Sequence, residues 1–469
     1  MTAAQFGMIG LGTMGRNFLL NIADSGIGCA GYDLDPAKQE LLKSEGHQWN
    51  VAAATSVEEL VRMLKSPRAV MMLVPAGPIV DSVIEELLPY LGNGDLIIDG
   101  GNSHFSDTDR RERYLAEKGI GFLGVGVSGG EEGARMGASI MPGGRREYYD
   151  RVAPIFEAVA AKVDGEPCLA YMGSGSAGHF VKMVHNGIEY AMMQILAEAY
   201  DMMRRVLRMS HASMGRTFAE WNTGELGGYL VEITSTVCRK IDPETGQPLL
   251  EKILDTAGQK GTGVWTSQAA LEMGIPIPTI DAAVSMRQIS SQKHLRRSVA
   301  ELYELGSAAS VKREERGEFL LALRSAVYGS FIASYAQGMD LLRAASAERG
   351  YGLDLAEIAR IWRGGCIIRS RFLEKIYAAY SGSPGLPHLL LYPEIAADIE
   401  NVLEDWRYAV SLFAENPLPG MAIASALFYT EALASERLPA NLTQAQRDYF
   451  GAHTYQRIDK EGTFHTDDW

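Results

Sequence analysis

Through the first 177 residues, short apolar runs alternate with amphipathic stretches, and this alternation constrains the fold more than any other feature. Residues 6–9, 28–32, 69–74, 96–99 and 121–126 have the length and apolar density of buried strands. Residues 17–24, 36–44, 57–64, 78–87 and 107–118 lie between and after them and have helical periodicity. Strands joined through helices run parallel, so the expectation is an α/β, doubly wound sheet. Near Ser174-Gly175-Ser176-Ala177-Gly178 the character changes. Residues 179–434 carry long helical patterns rich in Ala, Leu and Met, with almost no strand signal. The last 35 residues, from Ser435, are polar and aromatic, with few apolar positions for a core of their own. Three regions follow: a sheet domain over 1–177, an all-helical domain over 178–434, and an extended tail over 435–469 that must lie on another surface or reach a second subunit.

The first helical crossover carries a fingerprint. Gly10-Leu11-Gly12-Thr13-Met14-Gly15 follows the strand at 6–9 and opens a helix. Gly10 permits the tight turn, Gly12 lets the backbone approach a pyrophosphate, and Gly15 allows close helix–strand packing. The helix N-terminus attracts phosphate. Asp33 ends the second strand, 23 residues after Gly10, where a carboxylate accepts hydrogen bonds from an adenosine ribose and repels a 2′-phosphate. Asp35, followed by Pro36, fits the competing role of helix cap better. Three further loops fall at strand ends, where open α/β sheets bind ligands. They are Leu73-Val74-Pro75-Ala76-Gly77, Asp99-Gly100-Gly101-Asn102-Ser103 and Val127-Ser128-Gly129-Gly130-Glu131.

A second constellation opens the helical region. In Phe180-Val181-Lys182-Met183-Val184-His185-Asn186-Gly187-Ile188-Glu189-Tyr190, an amine, an imidazole, an amide, a carboxylate and a phenol fall within eleven residues. At 3.6 residues per turn, Lys182, His185, Asn186 and Glu189 share one helix face, with Glu189 offset from Lys182 by about 20°. Two turns apart, Lys182 and Glu189 are too distant along the helix for an i,i+4 pair and are placed to grip opposite sides of a small molecule. Such groups on a packed helix suit acid–base chemistry; the competing reading is a solvated, ordinary charged face.

Bulk properties exclude some classes. A net charge of −14 argues against a general nucleic-acid binder, though not against an anionic substrate in a local basic pocket. Cys29, Cys168, Cys238 and Cys366 are scattered, with no CxxC pair and no clustering with His, so reduced structural thiols and no metal are expected. Residues 1–15 show no basic leader segment and no apolar run approaches 18 residues, which points to a soluble cytoplasmic protein without a membrane partner.

Taken together, these residues resemble the 6-phosphogluconate dehydrogenase family, essentially end to end. The resemblance includes Gly178 to Tyr190, Gly258-Gln259-Lys260-Gly261-Thr262-Gly263, the run from Trp362 to Arg369, and the run from Leu438 to His453. It implies oxidative decarboxylation of 6-phosphogluconate to ribulose 5-phosphate in the pentose phosphate pathway, by a homodimer. It casts Lys182 as the general base and Glu189 as the acid that protonates C1. Asn102, Ser128, Gly129, Gly130, His185 and Asn186 would hold the carboxylate and hydroxyls. Tyr190, Lys260, Thr262 and Arg287 would hold the phosphate, with Arg447 and His453 arriving from the partner's tail. Gly10 to Gly15, Asp33, Val74, Pro75, Ala76 and Asn102 would contact the cofactor. Many members carry Asn-Arg-Thr at the end of the second strand, where the Arg meets the 2′-phosphate of NADP, and Lys at the position of Pro75. Here Tyr32-Asp33-Leu34 and Pro75 remove both cations, so NAD is the expected cofactor and NADP the alternative. A related β-hydroxyacid dehydrogenase without decarboxylation would share the nucleotide site and Lys182 but would have no use for the cationic cluster. A catalytically silent dinucleotide sensor would be expected to have lost Lys182 or Glu189.

Overall fold

The structure, a computed structural model, describes residues 3–46, 50–303, 305, 306, 308, 311 and 315–469. Seven strands form one sheet: β1 (Phe6–Ile9), β2 (Cys29–Tyr32), β3 (Val51–Ala53), β4 (Ala69–Met72), β5 (Leu96–Asp99), β6 (Gly121–Ser128) and β7 (Ser139–Gly144). Their order is β3-β2-β1-β4-β5-β6-β7. The neighbours pair in parallel as far as β6, and β7 returns antiparallel. The winding reverses between β1 and β4, so the crevice of a doubly wound sheet opens there, at the strand C-termini. Helices α1 (Thr13–Asp24), α2 (Pro36–Glu45), α3 (Val57–Met63), α4 (Pro78–Leu87), α5 (Phe105–Ala116), α6 (Gly130–Met136) and α7 (Arg146–Val159) cover it. Successive strand side chains point to opposite faces. Met71, Ile98 and Leu123 therefore pack with α1 and α7, while Val70, Ile97 and Phe122 pack with α3 and α4.

Two strands of this sheet escape the sequence pattern, and both are edges. β3 is only Val-Ala-Ala and half-buried, too short for a periodic signal. β7 contains Pro142-Gly143-Gly144, which reads as a turn; on its outer side it meets only the irregular 168–173 segment, where Pro142, lacking an N–H, serves as acceptor for the Met172 amide at 2.8 Å. α1 begins four residues before the expected start, directly after Gly12. α5 begins two residues before its expected start, where the His104 ring accepts the Ser106 amide at 3.3 Å.

Helix α8 (Ala177–Arg205) starts the helical region and lies against β6 and β7. Glycine makes this seat possible. A Cβ at Gly178 would lie 2.3 Å from the carbonyl oxygens of Gly124 and Met141, and one at Gly126 would lie 2.5 Å from the Lys182 Cβ. On its other side α8 packs on the 34-residue helix Arg316–Arg349. That helix is long and apolar enough to cross a membrane, but here it forms the centre of the helical core, with Tyr335, Ala336 and Met339 fully buried.

The tail is more organised than its composition suggests. It forms the helix Ala440–Gly451 and a small antiparallel pairing of Tyr455–Gln456 with Thr463–Phe464. Its centre is polar: the buried Asp448 carboxylate accepts the Thr454 amide at 2.8 Å, the Thr466 amide at 3.1 Å and the Trp469 indole at 3.0 Å, and meets His465 Nδ1 at 2.9 Å. Leu442, Tyr449 and Phe450 stay exposed, so the expected shortage of apolar burial holds even though the tail has a knot of its own.

Candidate active site

The glycine fingerprint is shaped for a phosphate-bearing ligand. Gly10 has φ +93°, and a Cβ there would meet the Leu73 carbonyl oxygen at 2.5 Å. A Cβ at Gly15 would collide with the Gly10 carbonyl oxygen at 1.9 Å, whereas one at Gly12 would meet nothing within 4 Å. Two glycines thus close the turn and the third leaves open space at the N-terminus of α1. No acidic side chain in that first turn competes with an anion for the positive end of the helix dipole. Thr13 is exposed beside this space and Met14 half-buried. The 73–77 loop borders the same edge, with Pro75 and Ala76 exposed and Val74 half-buried.

Asp33 closes the far side. Its Oδ2 accepts the Leu11 amide at 2.7 Å and its Oδ1 the Asp35 amide at 3.0 Å, while Lys38 Nζ stands 3.3 Å from both oxygens. The carboxylate is therefore fixed against the glycine turn with its acceptor sites filled, and a further donor takes a site only where Lys38 gives way. The next residue, Leu34, is an apolar side chain that is 82 % exposed. Asp35 takes the capping role expected of it, accepting the Ala37 amide at 2.9 Å.

On α8 the four polar side chains do meet, with Ser128 at the end of β6. Lys182 Nζ donates to Asn186 Oδ1 at 2.6 Å and to Ser128 Oγ at 3.2 Å, and lies 3.3 Å from His185 Nδ1. His185 Nε2 lies 3.2 Å from Ser128 Oγ, and Glu189 approaches the His185 ring at 3.9 Å. Lys182 and His185 are buried, Asn186 nearly so, and Glu189 half-buried. Burial drives the protonation states. Desolvation pulls the Lys182 amine below the usual lysine range, against the opposing pull of Glu189. Desolvation also pushes the Glu189 carboxyl up, against Lys182 and Arg287. His185 is held well below its ordinary value by burial and by Lys182. The helix thus presents an amine that gives up its proton more readily than a free lysine and a carboxyl that holds one more tightly than a free glutamate, with an imidazole between them whose charged form is disfavoured.

One turn further, the Arg287 guanidinium lies 3.5 Å over the Tyr190 ring and donates to the Gly258 carbonyl at 3.1 Å. Thr262 begins the helix Thr262–Glu272 behind it, and a Cβ at Gly263 would press on the Tyr190 ring at 2.6 Å. Lys260 is exposed on the same loop. Tyr190, Thr262, Arg287 and the 258–262 loop are therefore gathered at one end of the Lys182 face. Gly129, with φ +115°, turns the chain into α6 against the Gly365 carbonyl; Gly130 and Asn102 are exposed. Arg447 and His453 do not join this cluster within the chain: Arg447 donates to Gln444 at 3.0 Å and His453 packs on Phe450 at 5.9 Å.

Several neighbours carried no role in the sequence reading. The Trp362 ring stands edge-on to His185 at 5.5 Å, and the buried Cys366 thiol is pushed up to about 12 by desolvation, against the opposing pull of Lys182. Both sit in the motif from Trp362 to Arg369, which was the available signal. Trp265 contacts the His104 ring at 5.1 Å, bringing the 99–103 loop beside the 258–262 loop. The four cysteines are buried free thiols. Among the described residues no His, Cys, Asp and Glu cluster is arranged to hold a metal.

The fold and these two constellations define a Rossmann-type nucleotide-binding sheet joined to a helical domain. Residues 5–183 match the NAD binding domain of 6-phosphogluconate dehydrogenase, and residues 178–469 match the C-terminal domain of the same enzyme. The chain belongs to the 6-phosphogluconate dehydrogenase family. It is 48 % identical over 467 residues to a Bacillus subtilis protein named 6-phosphogluconate dehydrogenase, NADP(+)-dependent, decarboxylating, covering 100 % of this chain and 99 % of that one. It is 49 % identical to the decarboxylating 6-phosphogluconate dehydrogenase of Synechococcus elongatus, covering 99 % of each. The 6-phosphogluconate dehydrogenase structure of Plasmodium falciparum superposes with a TM-score of 0.95 at 43 % identity, covering 98 % of this chain and 99 % of that one.

Proposed function

We propose that this chain oxidises 6-phospho-D-gluconate at C3 and releases CO₂ to give D-ribulose 5-phosphate, with NAD preferred over NADP. The observation that carries the reading is the opposed pair on α8: an amine depressed by burial and a carboxyl raised by burial, two turns apart on one face. Neutral Lys182 accepts the proton of the C3 hydroxyl, and Ser128, His185 and Asn186 surround the same oxygen-binding space. The bound nicotinamide supplies the hydride acceptor. The resulting 3-keto acid loses CO₂, and Lys182, now protonated, stabilises the enolate where charge appears. Glu189 then delivers its proton to C1. Tyr190, Lys260, Thr262 and Arg287 take the phosphate, and Asn102, Gly129 and Gly130 the carboxylate and hydroxyls. The exposed Arg447 and His453 support a homodimer in which each tail completes the partner's phosphate site, since a dianion calls for several cations together.

Cofactor preference rests on Asp33, Leu34 and Pro75. A fixed carboxylate and two uncharged neighbours offer a 2′-phosphate repulsion and no partner. A differential of about 1.4–2.8 kcal/mol corresponds to about 10–100-fold in kcat/KM. The NADP reading is favoured by Lys38, whose amine stands 3.3 Å from Asp33 and could turn towards a phosphate, and by the name of the Bacillus subtilis relative. Initial rates with NAD and NADP at saturating 6-phosphogluconate, with CO₂ release measured alongside, test both statements. Equal or better kcat/KM with NADP refutes the cofactor assignment, and reduction of nucleotide without CO₂ refutes the decarboxylation.

A further inference from the structure

Arg111 and His179 have no part in the chemistry above, yet both are buried and both bond to the loops that border it. Arg111, on α5, is 1 % exposed. Its Nε and Nη2 donate to the Asp81 carboxylate at 2.9 and 3.0 Å. Nη2 also donates to the Gly77 carbonyl at 2.9 Å, which is the end of the 73–77 loop. Nη1 donates to Ser103 Oγ at 3.2 Å and lies 3.5 Å from Asp99 Oδ2, at the two ends of the 99–103 loop. One rigid guanidinium fork therefore spans two loops. Asp99 is itself a hub: Oδ1 accepts the Gly101 amide at 3.0 Å and Oδ2 the Ser103 hydroxyl at 2.6 Å.

His179 takes hold of the same loop from the opposite side. It lies on α8, three residues before Lys182. Its Nε2 meets the Asp99 carbonyl oxygen at 3.0 Å and its Nδ1 meets Thr108 Oγ1 at 2.6 Å. The carbonyl only accepts, so Nε2 carries the proton and Nδ1 receives the Thr108 hydroxyl.

A fully buried guanidinium is costly, and an apolar residue would fill the space with less desolvation. What Arg111 provides is reach to both loops at once. We propose that Arg111 and His179 are positioning residues for hydride transfer: they clamp the 99–103 loop between the 73–77 loop and α8, and so set where Asn102 and the nicotinamide edge stand relative to Lys182. The inference rests on the function assigned above. Misplacing reacting groups by about 1 Å costs about 10²-fold in rate, so a clamp of this kind acts on turnover without touching substrate.

The test uses the full-length chain and three variants, Arg111→Lys, His179→Leu and His179→Gln. Lysine reaches one loop but not both; glutamine keeps a donor for the Asp99 carbonyl, and leucine does not. Arg111→Lys is expected to weaken NADH binding about tenfold by fluorescence titration and to lower kcat about 10–10²-fold. The primary deuterium isotope effect with 3-deuterated 6-phosphogluconate should rise, because hydride transfer then limits turnover more strongly. His179→Leu should lower kcat with the same isotope signature, and His179→Gln should recover most of it. Unchanged kcat and isotope effect in both Arg111→Lys and His179→Leu, with only the unfolding midpoint lowered, overturn the proposal. Should Arg111→Lys be insoluble, the His179 pair decides. If the wild-type chain oxidises no 6-phosphogluconate with either nucleotide, the assigned function fails; the NADH titration then decides the clamp alone, and equal affinity in Arg111→Lys and wild type overturns it.

Discussion

Replacing Gly126 with alanine tests whether the seat of α8 on β6 sets the position of Lys182. An added methyl at Gly126 would lie 2.5 Å from the Lys182 Cβ and 3.1 Å from both its Cγ and the Gly178 carbonyl oxygen. Carbon atoms make contact near 3.5–4.0 Å, so α8 or β6 must yield by about 1 Å. The neighbouring backbone is packed on the far side by the helix Arg316–Arg349, so the shift cannot be absorbed by one side chain turning away. Overpacking of this kind costs about 1–3 kcal/mol of stability. The larger effect is on turnover. Moving Lys182 by about 1 Å from its acceptor position is worth about 10²-fold in kcat, or about 3 kcal/mol in barrier height. The Gly10–Gly15 turn lies on another strand, so NADH affinity should stay within a few fold. The assay is steady-state kinetics at saturating substrate, with NADH titration and thermal unfolding in parallel. A Gly126→Ala chain with wild-type kcat would refute the argument that this contact holds the amine in place.

Lys182→Met should lower kcat by about 10²–10⁴-fold while NADH still binds, measured by stopped-flow absorbance and fluorescence titration. The pH profile of kcat/KM should fall at low pH as the depressed Lys182 amine gains its proton, and at high pH as the raised Glu189 carboxyl loses its own; Glu189→Gln should remove the high-pH limb. Glu198 gives a stability prediction: desolvation raises its carboxyl to about 7 despite the donated amides of Ala422 and Ile423. Its folded pKa exceeds its unfolded one, so its contribution is present in full at acid pH and is lost as pH rises through about 7; wild type should lose about 1 kcal/mol between pH 6 and pH 8 that Glu198→Gln does not, read from chemical denaturation. Mixing an Arg447→Ala chain with a Lys182→Met chain should restore activity in heterodimers holding one intact site, and no recovery despite confirmed subunit exchange would count against shared tails.

What the sequence made legible followed from periodicity and from special backbone. The parallel core strands announced themselves because both faces are buried, so β1, β4 and the first three residues of β5 read as unbroken apolar runs. The Lys182 face was legible because a helix fixes which residues are neighbours. The edges β3 and β7 were not, since an edge needs fewer apolar residues and tolerates proline and glycine. Nor were Arg111 and His179, whose partners lie as far as 80 residues away and follow no helical or strand spacing. The tail's aromatic and polar composition suggested a segment in need of a surface, but the convergence of four donors on Asp448 has no local signature.

The glycine-to-backbone contact between α8 and the β6–β7 hairpin has a consequence for how this architecture can be divided. Residues 178–183 belong to both matched regions, and Lys182 is among them. A cassette cut at residue 177 would part the carbonyls of Gly124 and Met141 from the glycine that allows their approach, and would leave Lys182 without its bed. The edge at Asp33 and Leu34 directly follows β2, beyond β1, β4 and β5 from this seam. Point changes there are therefore mechanically independent of α8, whereas grafting a foreign nucleotide domain onto this helical one changes the bed of Lys182 itself.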